Sequence, residues 1–176
     1  MLSNRLSQRH SASNIAWCPP LQNSFKLNFD GASKGNPEST GFGGIFRNHE
    51  GESLLLFYGN IGWDTKNYAE LEGLWQGLIL SQQYGFHPLE VEGDSQILIG
   101  MANQLLNGAR VHKIANSWRL EARLEALEHW LHTNRVIIFQ HVKREGNKVA
   151  DLLANTGVDN EHTLRSGDLD IIQNHA

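Results

Sequence analysis

The chain has 176 residues, 40% hydrophobic and 19% charged, which suits one domain with an ordinary core. No run approaches the ~18 apolar residues of a membrane-spanning helix, and the single cysteine, Cys18, excludes an internal disulfide framework. Fifteen basic against nineteen acidic residues give a net charge of −4, which excludes a nucleic-acid binder that works by bulk positive charge alone.

Residues 1–24 contain no Asp or Glu, carry five Ser with Arg5 and Arg9, and end near Pro19-Pro20. This composition reads as a flexible linker cut from a longer polypeptide, in preference to an organelle transit peptide. One cysteine makes reducing, intracellular surroundings the default, in cytoplasm or nucleus unless the leader is an organelle signal. From Phe25 the sequence FKLNFDG alternates strictly, with Phe25, Leu27 and Phe29 on one face and Lys26, Asn28 and Asp30 on the other. That is a strand, and ASKGNPEST after it is a turn. GFGGIFRN and ESLLLFYGN read as two further strands joined at His49-Glu50-Gly51.

From Asn67 to Tyr84 the apolar period becomes helical, through Leu71, Leu74, Trp75, Leu78 and Ile79. PLEVEGD is a short strand ending at Asp94, and a helix follows with Ile97, Leu98, Met101 and Leu105, capped near Gly108. A longer helix carries Leu120, Leu124, Leu127 and Leu131, too short a stripe for a zipper. VIIFQHV is a buried strand, and a last short helix spans 147–157. The division is 1–24 leader, 25–158 domain and 159–176 polar tail. The order predicts an α/β fold: a mixed five-stranded sheet, three antiparallel strands then parallel ones, with helices on both faces.

Four acids sit where such a fold presents chemistry. Asp30 lies late in the first strand, and Asp94 ends the fourth. Glu70 lies on the first helix beside Gly73 and Gly77, which allow close approach to the sheet, and Asp151 lies on the last helix. Oxygen-only ligands favour Mg²⁺ or Mn²⁺, and two such ions ~4 Å apart can hold both the attacking and leaving oxygens of a phosphodiester. Without these four acids the chain would be neutral. Singly, Asp30-Gly31 also fits a turn, Asp94-Ser95 a helix N-cap, Asp151 a surface acid, and a helical acid such as Glu72 a solvated face. Spacing alone leaves these readings open.

Other features point to structure. Gly41-Phe42-Gly43-Gly44 lacks the Lys-Ser/Thr of a phosphate loop and reads as a twisted strand. His129 and His132 have no further ligand at fitting spacing, Cys18 has no base beside it, and Trp75 and Trp130 fit helix packing. Trp63 and Trp118 have no assigned partner.

FDGASKGNP, TKNYAEL, EGDSQ and HVKREGNKVADLLA, in that order, resemble the ribonuclease H domain family, and most of all the compact, often retrotransposon-derived domains of plant genomes. The resemblance runs from about Phe25 to Val158. It implies an endonuclease that cuts the RNA strand of an RNA/DNA hybrid with two Mg²⁺ ions, one orienting water and one stabilising the leaving oxygen, leaving 5′-phosphate and 3′-hydroxyl ends. It implies Asp30, Glu70, Asp94 and Asp151 as the metal-binding carboxylates. Asn36, Asn67 and Gln96 would touch the hybrid's minor groove, where 2′-hydroxyls are exposed, and Thr65 would grip a DNA-strand phosphate.

Departures accompany it. Arg144 stands where many relatives carry a mobile loop His, and a guanidinium stabilises charge instead of carrying protons. His141 falls inside the fifth strand and reads as structural. Lys66, Tyr68 and Pro37-Glu38 also differ from the family pattern, and no basic protrusion is present, since Arg110, Lys113, Arg119 and Arg123 are offset by Glu121, Glu125 and Glu128. Weak, Mg²⁺-dependent hybrid binding by a monomer, supported by further domains of a longer polypeptide, is expected. The alternatives are a catalytically quiet nucleic-acid-binding or interaction module that keeps the fold, and another metal-dependent phosphoryl-transfer enzyme.

Overall fold

The computed structural model describes residues 16–165 apart from 36, 37, 116, 135 and 162. Asn36, Pro37, most of the leader and the tail from 166 onward therefore lie outside the described residues. The elements are β1 (Phe25–Lys34), β2 (Ser39–Arg47), β3 (Ser53–Trp63), α1 (Lys66–Tyr84), β4 (Leu89–Gly93), α2 (Gln96–Leu106), α3 (Val111–Ile114), α4 (Trp118–Thr133), β5 (Ile137–His141), a 3₁₀ turn (Arg144–Gly146), α5 (Lys148–Asp159) and β6 (Leu164–Arg165). The sheet order is β5-β4-β1-β2-β3-β6. β1, β2 and β3 pair antiparallel, while β4 and β5 run parallel to β1.

The five expected strands thus form the expected mixed sheet. β6 was not expected: it adds to β3 by two backbone pairings, Phe57 with Arg165 and Tyr58 with Leu164, which need no side-chain pattern. The four-residue α3 is too short for a helical period to register in sequence.

The strict alternation of β1 sends Leu27 and Phe29 into the main core with Leu71, Leu74 and Leu78 of α1 and Leu120, Leu124, Leu127 and Leu131 of α4. Its other face is buried as well. Ala32 packs on Ala154 and Val158 of α5, and residues 17–21 make hydrogen bonds and ring contacts to Lys26, Asn28 and Arg47. Two side chains of the predicted apolar stripes point outward instead: Ile79 and Ile97 are exposed. Glu72, read as a solvated helix residue, is buried and pairs with Arg123 of α4 at 2.8 Å.

Helix ends are set by local chemistry. The Thr65 hydroxyl accepts the Tyr68 N–H at 3.2 Å to start α1, and Gly85, at φ 70°, ends it in the left-handed conformation. Ser95 starts α2 in the same way, through the Leu98 N–H. Gly43 has a different use: a Cβ there would sit 2.5 Å from the Ala154 amide nitrogen, so the glycine-rich strand is the seat of α5.

Candidate active site

β1 and β4 are parallel neighbours, paired from Phe25 with Leu89 to Asn28 with Glu92, so β4 ends beside the middle of β1. Asp30 sits at mid-strand, because β1 runs on through Ala32–Lys34, read from the sequence as part of a turn; it is only 2% exposed, with one carboxylate oxygen accepting the Gly31 N–H at 2.8 Å. Gly31 has no side chain to hold α1 off, because a Cβ there would strike the backbone of Ala69 and Glu70. That contact brings Glu70, in the second turn of α1, beside Asp30. Asp94 follows β4 directly. Asp30, Glu70 and Asp94 each offer a carboxylate oxygen, and these oxygens lie within 4.8 Å of one another.

The electrostatics follow from that crowding. Burial, then repulsion from Asp94 and Glu70, pushes Asp30 from 3.8 up to about 8, against the Gly31 N–H and the charge of Lys66. Burial likewise raises Glu70, with Asp94 adding to the rise, while a hydrogen bond from Ser95 and the nearby Lys66 ammonium oppose it. The ammonium lies 3.8 Å from a Glu70 oxygen. An all-oxygen cluster of this kind is consistent with a bound hard cation, which would relieve the repulsion that one lysine only partly offsets.

Asp151 lies in the first turn of α5 and is not within 4.8 Å of all three. Its side chain is 32% exposed, and one of its oxygens lies 3.4 Å from Arg144 and 3.4 Å from Asn155. Arg144, in the 3₁₀ turn, is 71% exposed. The start of α5 is nevertheless tied to the strand of Asp30, since Asn147 donates to the Phe29 carbonyl at 2.9 Å. Thr65, Asn67 and Gln96 are exposed at the starts of α1 and α2, and Asn67 lines a recess together with Glu70 and Ser95. Asn36 is outside the described residues. His141 ends β5, as read from the sequence, with its imidazole 3.2 Å from the Asp94 carbonyl oxygen.

Three residues of this site carried no assignment in the sequence reading. Lys66 stands four residues before Glu70, a helical pairing distance; Ser95 follows Asp94 as the helix cap; Asn147 had no signal beyond the Gly-Asn turn. Three of the described basic residues before β5 are held in ion pairs: Arg110 with Glu128, Arg119 with Asp64 and Arg123 with Glu72.

A mixed sheet with this strand order, with adjacent parallel strands and a helix contributing clustered carboxylates, defines a ribonuclease H-like domain. Its fold matches that of a ribonuclease H1 isolated from compost by a metagenomic approach, with a TM-score of 0.67 and 26% identity over 78% of this chain and 97% of that one. That enzyme has also been crystallised with an RNA/DNA hybrid. The chain belongs to the reverse transcriptase-like family, whose pattern it matches over residues 28–157. An Arabidopsis thaliana protein provisionally named a ribonuclease H protein is 33% identical over 80% of this chain, and a ribonuclease HI of Halobacterium salinarum is 32% identical over 74%. The match spans 22% of the plant protein's length and 62% of the archaeal one's.

Proposed function

We propose that this domain is an endoribonuclease that hydrolyses the RNA strand of RNA/DNA hybrids, leaving 5′-phosphate and 3′-hydroxyl ends. The observation that carries the reading is the meeting of Asp30, Glu70 and Asp94 in one oxygen-only cluster where β4 ends beside β1, within a chain of this family. Two Mg²⁺ ions, replaceable by Mn²⁺, would supply an activated water and stabilisation of the leaving oxygen when held there with Asp151.

The chain's own residues do the rest. Asp30 and Glu70, held out of bulk water, keep their oxygens fixed toward the cluster. Arg144 neutralises Asp151 and presents a charged, exposed guanidinium that stabilises phosphate charge without exchanging a proton. The Thr65 hydroxyl accepts its helix-capping bond and so keeps its O–H to donate to a phosphate oxygen. Asn67 and Gln96, short amides at two helix starts flanking the cluster, suit the 2′-hydroxyl-lined minor groove; the same role is proposed for Asn36.

The test offers labelled RNA/DNA hybrid, RNA duplex and DNA duplex to the protein, each with Mg²⁺ or EDTA. Cutting of the RNA strand of the hybrid alone, only with Mg²⁺ and lost in Asp94→Asn, is the expected result. Cutting that survives Asp94→Asn would overturn the assignment, and a folded protein that binds hybrid without cutting it would favour the quiet binding module.

A further inference from the structure

A directed chain of hydrogen bonds runs from the leader to the metal-site strand. The Trp17 indole N–H, which can only donate, lies 2.9 Å from Asn28 Oδ1. With that oxygen committed, Asn28 Nδ2 is turned toward Glu92 Oε2 at 3.0 Å and Asn147 Oδ1 at 3.2 Å. Asn147 is thereby oriented in turn, and its Nδ2 donates to the carbonyl of Phe29, the residue before Asp30. Its backbone carbonyl accepts the Asp151 N–H at 3.0 Å. Asn28 and Asn147 are each 1% exposed, so losing a partner is costly for either amide.

The leader is held in place by more than this bond. The Arg47 guanidinium lies 4.6 Å from the centre of the Trp17 ring. The Cys18 carbonyl accepts from Lys26 at 2.7 Å, and the Leu21 N–H donates to Glu90 at 3.0 Å. Lys26 is itself buried between Glu90 and Glu92, so the Cys18 carbonyl satisfies part of a costly buried charge network.

We propose that Trp17 is a positioning residue: through Asn28 and Asn147 it sets how α5, with Asp151 and the Arg144 turn, docks beside Asp30. The functional unit accordingly includes Trp17, ahead of the alternating strand. Without the indole donor, Asn28 either buries an unpaired oxygen or flips. A flip turns its oxygen toward Glu92 Oε2 and Asn147 Oδ1, both acceptors, and breaks the chain at two points. Only the catalytic consequence rests on the proposed hydrolase; the structural coupling stands apart from it.

Trp17→Phe in the full chain tests this, because it keeps a ring for Arg47 while removing the N–H. Amide NMR is expected to give shifted side-chain signals for Asn28 and Asn147 and shifted backbone signals over 147–151. On hybrid, kcat should fall roughly tenfold, with KM unchanged and a several-fold higher Mg²⁺ requirement, a split that simple destabilisation would not produce. Trp17→His, which retains a ring N–H, should recover part of kcat. Unchanged signals over 147–151 together with an unchanged Mg²⁺ titration would overturn the proposal. If Trp17→Phe does not fold, hydrogen exchange on the unaltered chain decides: the Trp17 indole should exchange far more slowly than those of Trp63 and Trp118, and equal rates would overturn the coupling. Absence of hybrid cutting by the unaltered protein would sink the hydrolase reading, leaving the NMR and exchange results to judge Trp17.

Discussion

Asp30 shows how far a single carboxyl is displaced by where the chain places it. In the unfolded chain it titrates near its ordinary value of 3.8, whereas burial and its acidic neighbours raise it to about 8 in the folded domain. Between those values the folded state binds more protons than the unfolded state, so stability falls as pH rises. The contribution is fully present below the unfolded value and gone above the folded one. Thermal melts in EDTA should therefore show Tm declining from about pH 4 to about pH 8, with the slope reduced by Mg²⁺. Asp30→Asn should flatten that slope and gain about 1–3 kcal/mol at the alkaline end while abolishing hydrolysis. An unchanged slope in the variant would show that Asp30 is not the group responsible. Lys66 supplies the opposite charge. Lys66→Gln should lower stability in EDTA by no more than ~1 kcal/mol, as suits a half-exposed ammonium, and Mg²⁺ should erase the difference in the same melts.

At the level of elements, the seating of α5 decides where Asp151 can reach. Gly43 and Gly41 of β2 lie against Ala154 and Val158, and a side chain at either would meet backbone, which cannot yield as a flexible side chain would. Gly43→Val should cost about 2–3 kcal/mol in urea unfolding and raise the Mg²⁺ requirement, whereas Gly100→Ala, inside α2 with open space around it, should gain about 0.5–1 kcal/mol and leave the Mg²⁺ requirement unchanged. Elements of this kind were only half legible in the sequence. The alternation of β1 announced a strand and its apolar face, and the change to helical period announced α1 and α4, because those signals are local. What covers the polar face of β1 could not be read, since α5 and Trp17 come from opposite ends of the chain and meet it through glycine seats and buried amides. Ser95 and Lys66 escaped for a related reason: each is an ordinary cap or helix residue until the fold brings Asp30 alongside.

Across the whole molecule, much of the described positive charge is held in ion pairs. Arg110, Arg119 and Arg123 each hold an acid of another segment, Lys26 is enclosed by Glu90 and Glu92, and the net charge remains −4. Seven of the described cations are held in ion pairs, so affinity for a hybrid should be weak in EDTA, rise on adding Mg²⁺, and depend shallowly on salt. The slope of log affinity against log salt should stay within roughly −3, which corresponds to about three phosphates neutralised. Filter binding across a salt series measures it directly, and nanomolar affinity in EDTA or a steep slope would show a basic surface that these pairings conceal. Releasing one cation offers the converse experiment. Glu128→Gln frees Arg110 on an exposed face without touching the carboxylate cluster, and it should tighten hybrid binding a few-fold at low salt, with the gain fading as salt screens it. If the gain instead persists at high salt, Arg110 makes a specific contact, and the face formed by α3 and α4 belongs to the duplex-binding surface.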